Sequence, residues 1–409
     1  MAEQSFLNKL DVFKLIKEYG SPLYVYDENM LRKRCREIRN LLPINNFSVN
    51  FSAKANSNKT LLKIIRDEDI NVDAMSPGEI YIQLEAGFPP ERIFYIGNNV
   101  SKEEMQFAID HKVLVSVDSL SQLELFGRTI NPKGKVAVRF NPGIGVGHHD
   151  KVITGGKNTK FGVQKEFIPQ VKKLLDKYDL RLVGINQHIG SLFLEEYSYI
   201  DAANKLFEIA KNFEGLEFID VGGGFGVPYR KSENRLDLGE LSKKLLASFN
   251  SFTNGYGNKN VVLKVEPGRY LVAECGILLG EIYSVKKNYA VKYIGTDLGF
   301  NVLVRPVMYD AYHEASIIQR KKLDKKEIVT IVGNICESGD IIAKDRLLPV
   351  AKEGDVVAVM NTGAYGYAMS SNYNLRLKPA EILVKSNGDI ILIRKRDTLN
   401  SLLDSYKNI

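Results

Sequence analysis

The sequence predicts an α/β chain: a (β/α)8, TIM-like barrel joined to a mostly antiparallel β-domain. Three observations predict it. Short apolar runs rich in β-branched and aromatic residues recur eight times between Phe47 and Val265, each closed by a polar or Gly-containing turn. Helical patterns alternate with these runs, which is the repeat of a parallel β/α fold. Beyond Glu266 the long helical patterns stop and alternating strand-like runs take over.

The first run is Phe47 to Ala53, followed by the helical pattern NKTLLKIIRDE. The second ends near Met75 and leads into GEIYIQLEAG; the third ends at Gly97, after which Ser101 opens an S-x-x-E helix start. The fourth ends at Val117 and the fifth at Phe140, the latter followed by a long Gly-rich loop to Gly162 and the helix KEFIPQVKKLLDKY. The sixth ends at Gln187, the seventh at Val221 before GGGFG, and the eighth at Val265. Eight units in roughly 220 residues match a (β/α)8 barrel, with a doubly wound open sheet as the structural alternative.

In the second region, GILLGEIYSVKK, EIVTIVG, DVVAVMN and the pair around SNGDI read as strands, and the Asn-Gly between apolar runs marks a hairpin. The N-terminal SPLYVY is strand-like yet precedes the first barrel unit. The expected division is a barrel over 27–265 and a β-domain built from 1–26 and 266–409.

Apolar residues make up 44% and charged residues 26% of the 409, an ordinary globular composition. No apolar stretch approaches a membrane span and no early h-region is present, so a cytoplasmic location is expected. The net charge of +7 comes from lysines and arginines interleaved with acids, without the clustered patch of a nucleic-acid binder. Three cysteines without a CxxC pair argue against a disulfide framework and a structural zinc site, and no metal is expected.

Barrel enzymes place their chemistry where strands end. Lys54 closes the first run, Asp73 lies in the second, His188 and Ser191 follow the sixth, Gly222, Gly223 and Gly224 follow the seventh, and Glu266, Pro267, Gly268 and Arg269 follow the eighth. Each alone has an ordinary explanation: a solvated lysine, a structural histidine, a tight glycine turn. Their convergence on one rim is what points to a site, and Gly-rich backbone entering a helix suits a phosphate.

Specific motifs go further. SAKAN around Lys54, GGKNTKFG before Val163, HIGS from His188, DVGGGFGVPY from Asp220 and EPGR from Glu266 occur in order, followed by GFNVLVRPVMYDAYHE, GNICESGD and GAYGYAMSSNYN. Over nearly its whole length the chain resembles the alanine-racemase-like, fold-type III enzymes that use pyridoxal 5'-phosphate, and within them the diaminopimelate decarboxylases.

The resemblance implies decarboxylation of meso-2,6-diaminopimelate to L-lysine and CO2, the last step of lysine biosynthesis, by a homodimer with shared active sites. It implies that Lys54 carries the cofactor and that His188 stacks on its ring. Glu266 faces the ring nitrogen, and Gly222–Gly224, Ser191 and the backbone near Gly268 hold the phosphate, with Asp73, Pro267 and Arg269 also at the cofactor. Tyr365 touches phosphate and substrate. Arg269, Arg305 and Tyr309 match the residues that hold the distal carboxylate, Glu337 the one that recognises the distal ammonium, and Cys336 the proton donor. Without its motif, Cys336 would read as a buried core cysteine. SAKAN, DAMSPGE and the Leu377 stretch depart from commoner forms, leaving open a related decarboxylase acting on another amino acid or on a carrier-bound one. A non-catalytic cofactor carrier and an amino-acid racemase are the remaining alternatives.

Overall fold

The computed structural model describes residues 6–130, 133–147, 155–156 and 159–407. Lys157 and Asn158 of the GGKNTKFG motif, with part of the Gly-rich loop before it, lie outside the described residues. Two compact units are present: residues 33–227 with 234–271, and the chain through Arg32 with Pro228–Glu233 and everything from Val272 onward. The chain therefore passes between units near Arg32, at both ends of 228–233 and at Val272, where the sequence suggested 26/27 and 265/266.

Numbered along the chain, β1 (Leu23–Asp27) belongs to the second unit and the next eight strands to the first. These are β2 (Phe47–Ser52), β3 (Asn71–Ala74), β4 (Ile93–Tyr95), β5 (Leu114–Val117), β6 (Lys135–Asn141), β7 (Arg181–Asn186), β8 (Phe218–Asp220) and β9 (Val262–Val265). Each pairs in parallel with the next. β9 returns to pair with β2, Leu263 opposite Phe47 and Val265 opposite Val49. The ring is closed, which settles the choice between barrel and open sheet.

Helix starts are fixed by side-chain caps where the strand-to-helix turns must be sharp. Asn58, Ser76, Ser119 and Asp237 each accept a backbone N–H of the first helical turn, and Ser101 with Glu104 forms a full capping box. Each cap is worth about 1 kcal/mol. Inside the barrel, Phe94 of β4 meets Phe218 of β8 edge to face at 5.3 Å. These strands are not neighbours in the ring, so the contact crosses the interior. Ile96, Ala137 and Val183 complete this buried apolar layer.

The second unit is a mixed, mostly antiparallel sheet. β1 pairs antiparallel with β10 (Gly276–Asn288) and in parallel with β16 (Ala380–Val384). The SPLYVY segment thus joins the C-terminal strands. β10 also pairs with β11 (Val291–Thr296) and β15 (Val356–Val359), and β15 with β12 (Ala315–Ile318). β13 (Lys326–Val332) joins β11 in parallel and β14 (Ile341–Pro349) antiparallel. The hairpin of β16 and β17 (Ile390–Arg394) closes through Gly388, at φ +89°, whose N–H donates to Lys385 O at 2.9 Å. Leu23, Val25, Ile277, Leu279, Val356 and Ile382 fill its core against Val12 and Leu15 of the helix Val12–Tyr19. Among the described residues, no helix is long and apolar enough to cross a membrane.

Candidate active site

The strand ends of the barrel unit bring Lys54, Asp73, His188 and Glu266 into one electrostatic group. β2 stops at Ser52, and the chain turns tightly through Ala53–Ala55, with the two alanines buried and Lys54 between them half-buried. The turn packs against Gly268, where a Cβ would come within 3.0 Å of Ser52 Cβ and 3.3 Å of Ala55 Cβ. The charge of Lys54 acts on Asp73, Glu79, His188 and Glu266.

Three carboxyls are buried together. Asp73 accepts the Ser52 hydroxyl at 2.7 Å, yet burial pushes its pKa up to about 7, against the opposing charge of Lys54. Asp220 accepts the Gly222 N–H at 2.9 Å and is pushed up to about 6 by burial. Glu266 is driven well above the usual carboxylate range, first by burial and then by Asp220 and Asp73, with Lys54 and Arg139 opposing. One oxygen of each, Asp73 Oδ1, Asp220 Oδ2 and Glu266 Oε1, is buried without a hydrogen-bond partner among the described residues. Such a set is costly to fold unless something cationic or donating completes it. No trio of His, Cys, Asp or Glu among the described residues is placed to hold a metal ion.

His188 receives the Gly223 N–H on Nδ1 at 3.3 Å, so a neutral ring carries its proton on Nε2. Burial, Lys54 and Arg139 all lower its pKa well below the ordinary value, which keeps it neutral. The glycines are obligatory: a Cβ on Gly223 would sit 1.7 Å from Glu266 O, and Gly224, at φ +107°, would strike Phe193 and Gly190. The loop is pinned by Glu266 N–H and Tyr199 Oη donating to Gly222 O, both at 2.9 Å. Arg269, buried, donates through Nη2 to Ser191 Oγ at 3.1 Å, and Pro267 O accepts the Ser52 N–H at 3.1 Å.

The remaining expected residues lie in the sheet unit. Arg305 opens the short helix Arg305–Tyr309 and is 2% exposed, not a surface charge. His313 Nδ1 faces Met360 O at 2.8 Å, and its Nε2 lies 2.7 Å from Arg305 Nη1. Donation from Nδ1 leaves Nε2 to accept from the guanidinium, which also lies 4.8 Å over the Tyr229 ring. Tyr309 is half-buried on the same helix. Cys336 and Glu337 stand in the turn between β13 and β14, and Cys336 is exposed rather than a core cysteine. Its N–H donates to Asn374 Oδ1 at 2.9 Å, while Glu337 accepts from Tyr373 Oη at 2.7 Å. Tyr365 is half-buried at φ +57°.

Sequence reasoning missed the support around these groups: Arg139, Asp220 and Lys264 in the barrel, and His313 and Tyr229 beside Arg305. The first three carried a signal, since each is a charge within or closing an otherwise apolar barrel strand.

Residues 28–273 match the family model of the pyridoxal-dependent decarboxylases, pyridoxal binding domain. The diaminopimelate decarboxylase of Methanothermobacter thermautotrophicus is 42% identical over 96% of this chain and 93% of the relative. That of Bacillus subtilis is 32% identical over 96% and 93%. The chain belongs to the diaminopimelate decarboxylases. Solved members of this family share its fold throughout. The Helicobacter pylori enzyme complexed with L-lysine is 30% identical, with a TM-score of 0.90 over 97% of this chain and 99% of that one. The Methanocaldococcus jannaschii enzyme in complex with L-lysine is 31% identical, with a TM-score of 0.88 over 98% and 94%. A lysine/ornithine decarboxylase from Vibrio vulnificus, 20% identical at a TM-score of 0.77, shares the fold alone. The cofactor of this family is pyridoxal phosphate.

Proposed function

We propose that the chain converts meso-2,6-diaminopimelate to L-lysine and CO2, with pyridoxal 5'-phosphate held at the barrel rim by Lys54, His188 and Glu266. The observation that carries this reading is the buried Oε1 of Glu266, without a partner among the described residues, amid two further carboxyls. A protonated ring nitrogen is the complement such an oxygen lacks. The glycine cradle, where a Cβ at Gly223 or Gly224 would collide with backbone, fits a phosphate drawn close to the chain. Family matches spanning nearly the whole chain favour diaminopimelate over other substrates.

When bound, pyridoxal phosphate supplies the electron sink for the electron pair left on the substrate's α-carbon as CO2 departs. The chain's own groups do the rest. Glu266 would face the ring nitrogen and favour its protonated form, and His188, kept neutral by burial, would back the ring without adding charge. Lys54 would hold the cofactor and give way to the substrate amine. Gly222, Gly223, Gly224, Ser191 and the backbone near Gly268 would hold the phosphate, with Asp73, Pro267 and Arg269 also at the cofactor, and Tyr365 would touch phosphate and substrate. Arg269, Arg305 and Tyr309 hold the distal carboxylate, for which two guanidiniums and a phenol form a forked anion site. Glu337 takes the distal ammonium, which neither lysine nor ornithine presents beside a carboxylate.

Cys336 returns a proton to the α-carbon. Its exposure, and that of Glu337, fits a cytoplasmic homodimer in which this turn serves the partner's site. Mixing Lys54→Ala with Cys336→Ala protein tests that arrangement. Recovered activity supports shared sites, and an active monomer on sedimentation refutes them.

A further inference from the structure

Lys264 sits inside the barrel one layer below Glu266. Two residues apart on β9 and its C-terminal end, they face the same side. Across the parallel pair β8–β9, Lys264 stands in register with Asp220. Its ammonium lies 3.9 Å from the Phe218 ring centroid and 5.5 Å from that of Phe94, so its position is fixed against the apolar layer. Beside it is Asp220 and one layer above it Glu266, each with an oxygen that no described group bonds. Lys264 itself is half-buried, and a cation beside two buried carboxyls is not needed for packing, since a leucine or methionine would fill the same layer.

We propose that Lys264 is a positioning residue for the reaction, acting through Asp220 and Glu266: its charge holds Glu266 anionic once the Glu266 proton has moved to the cofactor's ring nitrogen. This rests on the reading of Glu266 given above. The proton balance is simple. Without cofactor, burial and the neighbouring Asp220 and Asp73 drive Glu266 toward its neutral, proton-bearing form. With cofactor, that proton crosses to the ring nitrogen and leaves a second negative charge next to Asp220. The other charges facing Glu266 are Asp73 on β3, Lys54 after β2 and Arg139 on β6, with neutral His188 after β7. Asp73 disfavours the new anion, so Lys54, Arg139 and Lys264 must offset it. Burial lowers the Lys264 pKa, while Asp220, Glu266 and Glu217 hold its proton in place.

The test is the ¹⁵N chemical shift of the ring nitrogen in holoenzyme reconstituted with ¹⁵N-labelled pyridoxal phosphate. Wild type and Lys264→Arg should show a protonated nitrogen. Lys264→Met should shift toward the neutral form, its protonation equilibrium moved about tenfold or more by loss of one nearby charge. The kcat of Lys264→Met should fall with KM unchanged, and cofactor-free Lys264→Met should melt no lower than wild type. Lys264→Gln provides a second neutral variant should Met fail to pack. A protonated nitrogen in both neutral variants overturns the proposal, as does a neutral one in Lys264→Arg, which would make the effect one of packing. A neutral nitrogen in wild type would instead overturn the reading of Glu266 itself.

Discussion

In the barrel unit Asp73, Asp220 and Glu266 are buried beside one another, each with an oxygen that accepts no hydrogen bond among the described residues. In the sheet unit the buried Arg305 has a defined partner, His313, whose other nitrogen faces Met360 O. The sheet unit also keeps Cys336 and Glu337 in the open, tied to Asn374 and Tyr373. One unit stores an unmet electrostatic demand, and the other presents groups already set in place. A demand of this kind costs stability until a cofactor meets it, whereas a pre-set arginine costs nothing further when the substrate arrives. Cofactor retention should therefore depend chiefly on the barrel unit and substrate recognition chiefly on the sheet unit, with Arg269 and Tyr365 the residues assigned across that division.

The largest effect that could break this division is at Lys54. Lys54→Ala should lose activity by on the order of 10³-fold or more and fail to trap cofactor on that peptide after borohydride reduction. Next comes Cys336→Ala, expected to lower CO2 release by about 10²-fold while cofactor content stays full. Because its side chain is exposed, stability should stay within about 0.5 kcal/mol of wild type. A thermal shift well beyond that would make Cys336 structural.

Arg305→Ala should raise the KM for diaminopimelate about tenfold to hundredfold and leave the cofactor spectrum unchanged. Loss of pyridoxal phosphate from this variant would erase the division between the units. The smallest effect concerns Asp73 in the cofactor-free protein. An unfolded aspartate titrates near about 3.9, whereas the buried carboxyl is pushed up to about 7. The folded chain thus holds this proton longer, and the associated stability, present below about pH 4, is lost as pH rises through 7. Asp73→Asn removes that dependence. Its melting temperature should match wild type at low pH and exceed it by a few degrees, on the order of 2–4 °C per kcal/mol, at pH 8. Adding cofactor should shrink the gap.

The barrel was legible because each strand is a short apolar run with a capped helix start behind it; all eight runs fall within a few residues of observed strands. The hairpin at Gly388 was legible because Asn-Gly allows few other conformations. What the residues alone left open was which charges are buried. Arg305 and Lys54 are both single cations in mixed stretches, yet the first is sealed beside His313, a residue eight positions on, and the second half-buried. Neither partner can be assigned by periodicity. Cys336, which without its motif would read as a core cysteine, is exposed, although Ile335 beside it is buried. Arg139 and Lys264 were hidden because a charge inside a barrel strand reads as an outward-facing residue until the ring closes.

The most direct test of the central claim is CO2 release by the holoenzyme offered meso-diaminopimelate, lysine, ornithine and carboxynorspermidine in parallel. The account predicts one CO2 and one L-lysine per diaminopimelate consumed, with the other three left untouched. Failure to turn over diaminopimelate, by protein whose cofactor is shown to be bound at Lys54, would contradict it.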